Sequence, residues 1–370
     1  MLEILKQSNN PEICKPLVEA VIEKAKEFQQ KFGRKPAFME VCGSHTMALA
    51  RTGVKQCLKE DVNLISGPGC PVCVTDQRSI DAMIALAEGE DRIICTFGDM
   101  MRVPGSNKTL LDSKIAGKDI RVLYSPVDAV KIAEENPDKE VVFLGVGFET
   151  TIPILTLMIG EAEKREIPNF SIWMTTKLVE PVLRFLLDAG EVNLDGFLLP
   201  GHVSIVLGED SYQYLVDEYR ISGVITGFET AEILSGIYKG IELALHEKIA
   251  IVNNHPAVVS KTGNQVIHQW FDKYLTECDE AWRGIGIIAN SGLDLKPEYD
   301  QFNAKKRFTV HVGEPRKTKC RCGEVIRGLI SPTECLLFGR ACQPMNPIGP
   351  CMVSAEGSCA AHYQYMRESF

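Results

Sequence analysis

Short apolar runs alternate with helical patterns over the first two thirds of the chain. Apolar side chains recur at helical spacing between residues 12 and 32, which predicts an amphipathic helix that ends at Gly33. Later runs are predicted strands: AFMEVC (37–42), VNLIS (62–66), RIICTF (92–97), IRVLY (120–124), EVVFLGVG (140–147), SIWMTT (171–176), GFLLP (196–200) and SGVIT (222–226). Because most of these strands are followed by a helical pattern, the sequence predicts parallel sheets covered by helices on both faces.

The alternation restarts near residue 140 and fades beyond residue 250, so two α/β units and a different carboxyl-terminal part are expected. The tetrapeptide GFET occurs twice, at 147–150 and 227–230, each time after an apolar strand and before a helix. We interpret the recurrence as similar local geometry and not as a proven repeat.

Composition narrows the possible partners and the compartment. The chain has 370 residues, a net charge of −9 and no long basic run, which disfavours nucleic acid and anionic membranes as partners. Charged residues interrupt the amino-terminal apolar residues, so no signal-peptide core is expected there. The longest apolar stretch, residues 152–159, is too short to cross a bilayer. These features predict a soluble cytoplasmic protein.

The cysteines have an unusual distribution. Six of the thirteen lie between residues 320 and 359, namely Cys320, Cys322, Cys335, Cys342, Cys351 and Cys359. Disulfides suit small exported domains, and a zinc site would favour two C-x2-C pairs, whereas the close pair here is C-x-C. An iron-sulfur cluster takes four thiolates at irregular spacing from a segment rich in Gly and Pro turns. The residues favour a cluster and leave zinc or disulfides as alternatives.

Two loops at predicted strand ends carry further thiols. Parallel sheets bind ligands beyond the carboxyl ends of their strands, where CGSHT (42–46) and GPGCPVC (67–73) lie. Cys70 and Cys73 precede a predicted helix, whose dipole favours thiolates, so they form a candidate reactive pair. The alternative is a zinc half-site or two buried thiols. Cys42 is a candidate thiolate with His45 as its acid or base, or else a small buried side chain.

Other candidates have weaker support. No P-loop and no clean G-x-G-x-x-G occurs, so a nucleotide site is unsupported. Glu149 and Glu229 are candidate acids in a cleft, although a carboxylate in the first turn of a helix ordinarily offsets the helix dipole. His202, at a strand tip, is a candidate ligand or proton donor, or else a hydrogen-bonded loop histidine. Ser44 or Thr46 is expected to cap the helix after Cys42. The remaining cysteines in predicted elements are expected in the core: Cys14, Cys57, Cys95 and Cys278.

Five motifs together resemble the HypD family of [NiFe]-hydrogenase maturation factors over essentially the whole chain. They are CGSHT, GPGCPVC, GFETT (147–151), PGH (200–202) and GPCMVSAEGSC (349–359). The resemblance implies two Rossmann-like α/β domains and a carboxyl-terminal iron-sulfur domain rich in loops and helices. The corresponding boundaries are 1–135, 136–250 and 251–370, with the last part packing its helices back on the first domain.

The resemblance also implies roles for individual residues. Cys42 is expected to hold the iron of an Fe(CN)2CO unit together with a cysteine of the HypC chaperone, with Cys70 and Cys73 beside it. A 4Fe-4S cluster is expected on four cysteines, leaving two as a second redox pair. The expected ligands are Cys320, Cys335, Cys342 and Cys359, and the expected pair is Cys322 and Cys351.

The implied function is assembly of the Fe(CN)2CO unit, with cyanide delivered by HypE and electrons supplied through the cluster and the thiol pairs. Soft thiolate donors suit low-spin iron that carries cyanide and carbonyl. Whether this activity makes the chain an enzyme is left open. The alternatives are a 4Fe-4S-dependent protein disulfide reductase similar to ferredoxin-thioredoxin reductase, and a zinc-stabilised interaction module without redox function.

Overall fold

A computed structural model describes residues 8–366 of the chain. The predicted absence of a signal-peptide core concerns an amino terminus whose first seven residues lie outside the described range. Among the helices between residues 8 and 366, none combines the length and apolar character needed to cross a membrane.

The fold contains two fully parallel sheets, as the alternation of strands and helices predicts. The larger has the strand order β2-β1-β7-β8-β9, and the smaller has the order β4-β3-β5-β6. The strands of the larger sheet are β1 (Ala37–Glu40), β2 (Asn63–Ser66), β7 (Gly196–Pro200), β8 (Ser222–Thr226) and β9 (Ile251–Asn253). Those of the smaller sheet are β3 (Arg92–Thr96), β4 (Ile120–Val122), β5 (Glu140–Gly147) and β6 (Phe170–Thr176).

The two sheets interleave along the chain, which differs from a division at residue 135. Strands β3 and β4 precede that residue, β5 and β6 follow it, and all four belong to one sheet. The chain starts the larger sheet with β1 and β2, builds the whole smaller sheet, and returns to complete the larger one with β7, β8 and β9. The local pattern of each strand was readable, but pairing between strands more than 100 residues apart was not.

Helices cover both parallel sheets. They are α1 (Pro11–Phe32), α2 (Gly43–Arg51), α3 (Val54–Leu58), α4 (Pro71–Val74), α5 (Gln77–Leu86), α6 (Leu110–Ile115), α7 (Asp128–Glu135), α8 (Ile152–Lys164), α9 (Val179–Ala189), α10 (Gly201–Leu207), α11 (Gln213–Asp217) and α12 (Thr230–Leu245). The first helix ends at Gly33, as predicted, with a left-handed backbone at φ 70°. The helix expected after Cys42 is followed by a second, short helix beyond Gly53, whose φ is 75°.

The carboxyl-terminal third contains an antiparallel hairpin that the sequence did not suggest. Strands β10 (Leu275–Trp282) and β11 (Gly286–Leu295) pair with each other, and β11 lies beside the end of β6. Thr176 of β6 accepts a hydrogen bond from the Leu293 amide at 3.1 Å. The helices of this part are α13 (Gln265–Tyr274), α14 (Ala304–Arg307), α15 (Cys322–Ile326) and α16 (Ser358–Tyr365). Helix α16 packs on α2, which brings the chain end back to the larger sheet.

A buried ion pair holds the hairpin to the smaller sheet. Lys177 is fully buried, and its Nζ lies 3.1 Å from Oε1 of Glu280. Lys305 approaches the other carboxyl oxygen at 3.8 Å, and the Trp282 ring centroid is 5.7 Å from the Lys177 ammonium. Burial lowers the pKa of Lys177, whereas Glu280 raises it.

Replacement of Lys177 by methionine is therefore expected to lower the free energy of unfolding by about 3 kcal/mol, because a buried carboxylate loses its main partner. Urea denaturation followed by tryptophan fluorescence measures the change. The double variant with Glu280→Gln is expected to recover part of the loss. Equal stability of wild type and Lys177→Met would show that the pair contributes nothing.

Candidate functional site

The candidate site lies where the carboxyl ends of strands from both sheets meet. Cys42 follows β1, His202 follows β7 and Phe148 follows β5, and all three line one cavity of about 140 Å³. Its remaining wall is formed by Val41, Gly69, Pro71, Thr150, Thr151, Val179, Val203 and Glu356. We call this cavity the Cys42 pocket.

Cys42 is held in the pocket by a close approach of two loops. It is the residue immediately before α2, with extended backbone, and the amide of Gly43 donates to the Gly69 carbonyl at 3.1 Å. A Cβ at Gly69 would lie 2.3 Å from the Cα of Cys42, so only glycine fits there. Neither Ser44 nor Thr46 caps α2 through its side chain, because the helix begins earlier than expected.

The Cys42 thiol is buried and held neutral. Its pKa is raised to about 12, mainly by burial and secondarily by the nearby Glu356 carboxylate, while backbone amides oppose the shift. Glu356 comes from the loop before α16, and its Oε1 accepts a hydrogen bond from the Ser44 hydroxyl at 2.7 Å. The pKa of Glu356 is itself raised by burial. Sequence reasoning missed this carboxylate, since nothing local relates it to a thiol 314 residues earlier.

The imidazole that contacts the Cys42 thiol belongs to His202, with Nε2 3.8 Å from Sγ. His45, predicted as the acid or base, is fully buried, and its Nε2 donates to the Gly227 carbonyl at 2.8 Å. Both rings contact Phe228, with centroids 4.6 Å and 4.7 Å away. Burial lowers the pKa of each histidine to about 4, so both are neutral near pH 7. The strand-tip position of His202 was the signal that could have identified it.

Cys70 and Cys73 form a disulfide beside the pocket, with Cα atoms 5.2 Å apart. Cys70 is the residue immediately before α4, and its Sγ also accepts a hydrogen bond from the Cys73 amide at 3.2 Å. Pro71, between the two, lines the Cys42 pocket. The loop GPGCPVC (67–73) therefore contains both the disulfide and two residues that line the Cys42 pocket.

Three of the carboxyl-terminal cysteines, Cys320, Cys322 and Cys342, lie around the turn at Gly349. A Cβ at Gly349 would lie 2.6 Å from the Sγ of Cys320 and 3.7 Å from that of Cys322. The thiol of Cys322 hydrogen-bonds those of Cys320 and Cys351. The amide of Ile348 donates to the Cys342 sulfur at 3.3 Å.

The Cys359 thiol interacts electrostatically with four of the other five carboxyl-terminal cysteines. Burial raises its pKa well above the usual range, and repulsion from the other thiolates raises it further. The contributing cysteines are Cys320, Cys342, Cys322 and Cys335. Across residues 8–366, no three His, Cys, Asp or Glu side chains converge on one point as ligands of a single ion do.

One arginine links the disulfide loop to these thiols. Arg283, at the tip of the hairpin, donates to the Thr75 carbonyl and to the Gln77 side chain, both at 2.9 Å. The adjacent Gly284 packs directly on Gly323, which follows Cys322. The neighbouring thiols Cys320, Cys322 and Cys351 all have raised pKa values, with burial among the causes, and the positive charge of Arg283 partly opposes the rise.

The other sequence candidates have different outcomes. Cys14 and Cys95 are buried, as predicted, whereas Cys57 is exposed and Cys278 is partly exposed, so the core prediction was wrong for Cys57. Glu229 is the N-cap of α12 and forms a capping box, which is a structural role of the kind expected for a carboxylate at a helix start. Glu149 behaves differently: it is buried and accepts a hydrogen bond from the first residue of α9, not of its own helix.

Buried neutral histidines make the protein sensitive to acid. His362 of α16 has its pKa lowered to about 4, mainly by burial, against about 6.5 in an unfolded chain. Below pH 6.5 the unfolded state therefore binds a proton that the folded state excludes, and stability is lost as pH falls toward 4.

Each pKa unit corresponds to about 1.4 kcal/mol, so we expect His362→Gln to remove roughly 3 kcal/mol of acid destabilisation between pH 7 and 4. Carboxyl groups with raised pKa, such as Glu149, act in the opposite direction. The difference between variant and wild-type unfolding free energies across this pH range isolates the contribution of His362 to the pH dependence of stability. A difference independent of pH would contradict the assignment.

Fold and site together define a two-sheet α/β thiol protein, with one buried cysteine in the cleft, an adjacent disulfide and a separate six-cysteine segment. The model of the family described as "Hydrogenase formation hypA family" and named HypD matches residues 16–366. The chain belongs to the HypD family of hydrogenase maturation factors.

Curated relatives match nearly end to end. The hydrogenase maturation factor HypD of Escherichia coli is 40% identical over 365 residues, covering 97% of this chain and 96% of the relative. The HypD of Rhodobacter capsulatus is 37% identical, with 98% of both chains covered. A putative hydrogenase expression/formation protein of Methanocaldococcus jannaschii is 36% identical, covering 95% of this chain and 98% of the relative.

Proposed function

We propose that this maturation factor is the scaffold on which the Fe(CN)2CO unit of a [NiFe]-hydrogenase is assembled, with the iron held as cargo on Cys42. The observation that carries the proposal is a solitary thiol in a small pocket at the strand ends, with a redox-capable cysteine pair on the adjoining loop. Among the residues that line the pocket, Cys42 is the one cysteine. A second thiolate from a HypC-type chaperone would complete the attachment.

The electrostatics of the pocket suit a site that is filled and emptied. Without iron, burial and Glu356 keep the Cys42 thiol protonated, so it is a poor nucleophile toward other molecules. A bound iron cation offsets the negative charges of the Cys42 thiolate and the Glu356 carboxylate, and the thiol proton is displaced as the metal binds. His202 Nε2, 3.8 Å from the sulfur, is the adjacent ring nitrogen that can take part in this proton transfer.

Cyanide transfer from a thiocyanate-like carrier on a HypE-type donor requires two electrons. These electrons break the bond between the carrier sulfur and the cyanide carbon, and cyanide leaves to bind the iron. Oxidation of the Cys70 and Cys73 dithiol to the disulfide releases two electrons and two protons. One proton neutralises the carrier thiolate, and the other goes to solvent.

The carboxyl-terminal cysteines fit a 4Fe-4S cluster held by Cys320, Cys335, Cys342 and Cys359. A 4Fe-4S cluster would bind each thiolate through a different iron atom, so the four sulfurs need not converge on one point. Mutual electrostatic contact among the cysteines and a backbone amide donated to the Cys342 sulfur both suit that donor set. A bound cluster would supply single electrons to neighbouring thiols.

We further propose that Cys322 and Cys351 pass electrons between the cluster segment and the pocket loop. They are buried, hydrogen-bonded to each other, and belong to the same apolar core as Cys70 and Cys73. Helix α4, which contains Cys73, packs against α15 and against the turn that contains Cys351. Thiol exchange along this route would reduce the disulfide again for another transfer.

Infrared spectroscopy of the anaerobically purified chain together with its small chaperone tests the proposal. Nitrile and carbonyl stretching bands are expected on the complex, and reduction of the Cys70–Cys73 disulfide is expected to precede cyanide transfer. Absence of both types of band from an iron-loaded complex would exclude the scaffold function.

A further inference from the structure

A second, larger cavity lies on the opposite side of residues 148–150, which separate it from the Cys42 pocket. It has a volume of about 570 Å³, and Glu149, Tyr212 and Asn290 form part of its wall. Phe148 and Thr150, on either side of Glu149 in the chain, line the Cys42 pocket instead. We call the larger space the Glu149 cavity.

Glu149 contributes a buried carboxyl group to this cavity. The residue is 2% exposed, and its Oε1 accepts a hydrogen bond from the Val179 amide at 2.7 Å. Its Oε2 is buried and has no hydrogen-bond partner within residues 8–366. Burial raises the pKa of Glu149 to about 7. A buried carboxyl oxygen without a partner is costly, and a ligand that donates to it would remove that cost.

The remaining charges around the cavity are mainly negative. Glu180, Asp188 and Glu277 line it together with Glu149, and Arg184 is the one cation among the lining residues. Arg184 pairs with Glu180, to which it donates at 2.9 Å, and with Glu218 outside the lining, to whose two carboxyl oxygens it donates at 2.6 Å and 2.9 Å, so it leaves the other three acids without a cation. The cavity therefore has an excess of negative charge that Arg184 does not offset.

The cavity walls are apolar between these charges. Leu178, Phe185, Leu207 and Ile288 line it, and such surfaces suit a methylene chain with a charged end. We propose that the Glu149 cavity binds a lysine or arginine side chain presented by a partner protein, with the cationic end at Glu149. The inference does not depend on iron binding by Cys42.

Titration of the full chain with capped amino acids, followed by NMR and calorimetry, tests this inference. The probes are Nα-acetyl-arginine methylamide and Nα-acetyl-lysine methylamide, with Nα-acetyl-norleucine methylamide as the neutral match. We expect saturable binding of a cationic probe at least tenfold tighter than that of the norleucine probe, with shifts at Tyr212 and Asn290. Absence of saturable binding, or equal binding of the neutral probe, would overturn the proposal.

The variant Glu149→Gln removes the charge and keeps an oxygen that can accept from Val179, so the start of α9 is preserved. It is expected to weaken cation binding by about tenfold or more, since a hydrogen bond to a charged group is lost. Glu135→Gln, an exposed change on α7, serves as the matched control and is expected to bind like wild type. Unchanged affinity in Glu149→Gln would refute the assignment.

Two further measurements keep the test decisive. If Glu149→Gln fails to fold by circular dichroism, Glu277→Gln at the exposed side of the cavity replaces it, and a weaker affinity is again expected. If spermidine binds and neither capped amino acid does, a partner side chain is excluded as the occupant. All titrations use the anaerobically purified full chain without a chaperone and without cargo iron on Cys42, so failure of the scaffold proposal does not affect the result.

Discussion

Replacement of Cys42 by alanine is expected to abolish the nitrile and carbonyl infrared bands of the anaerobic chaperone complex and, with them, hydrogenase maturation. The pocket offers the iron no other cysteine from the described part of this chain, so no neighbouring thiolate can substitute. The loss of the nitrile and carbonyl bands should be complete. The measurement is infrared absorption of variant and wild-type complexes purified in parallel, with activity of the target hydrogenase as a second readout.

The control for this prediction is Cys57→Ala, which removes an exposed thiol from α3 and should leave the bands unchanged. Cys70→Ala separates two steps, because it removes the redox pair without removing the iron ligand. Cyanide transfer should then fail while chaperone binding persists. Bands that survive in Cys42→Ala would refute the scaffold model. If Cys42→Ala instead sustains turnover of a protein disulfide that requires Cys70 and Cys73, the reductase alternative is correct.

The strands were predictable because parallel strands buried on both faces appear as short, continuous apolar runs. The eight predicted runs coincide with β1 to β8, and β5 begins and ends where the sequence predicted, at Glu140 and Gly147. The hairpin of β10 and β11 was missed because its residues alternate irregularly between buried and exposed, with a bulge between Cys278 and Glu280. The helical pattern between residues 12 and 32 was equally clear, and the helix there is Pro11–Phe32.

The site was predictable only as far as chain neighbours determine it. Cys42 and the Gly69 loop follow adjacent strands of one sheet, so their meeting at its edge follows from the sheet rule. His202 follows β7, which pairs with β1, so its strand-tip position was a usable signal, whereas Glu356 reaches the site through long-range packing that no local pattern encodes. His45 was favoured because it is close in sequence, but α2 turns its ring toward Gly227.

Serine substitutions in the carboxyl-terminal segment are expected to divide the six cysteines into two classes. Cys335→Ser and Cys342→Ser should lose the visible absorbance of the anaerobic protein and most of about four iron atoms per chain, because each removes a cluster thiolate. Cys351→Ser should keep both signals, since Cys351 is hydrogen-bonded to Cys322 and is expected to act as an exchangeable thiol. Cys278→Ser, in the hairpin, is the matched control.

The most demanding comparison is between Cys320 and Cys322, which are two residues apart and hydrogen-bonded to each other. We expect Cys320→Ser to lose iron and Cys322→Ser to retain it while failing to reduce the Cys70–Cys73 disulfide. Iron content and thiol alkylation measured on the same samples separate these outcomes. The reverse result would assign Cys322 to the cluster and break the proposed route to α4, and zinc without iron in the wild-type chain would rule out a cluster altogether.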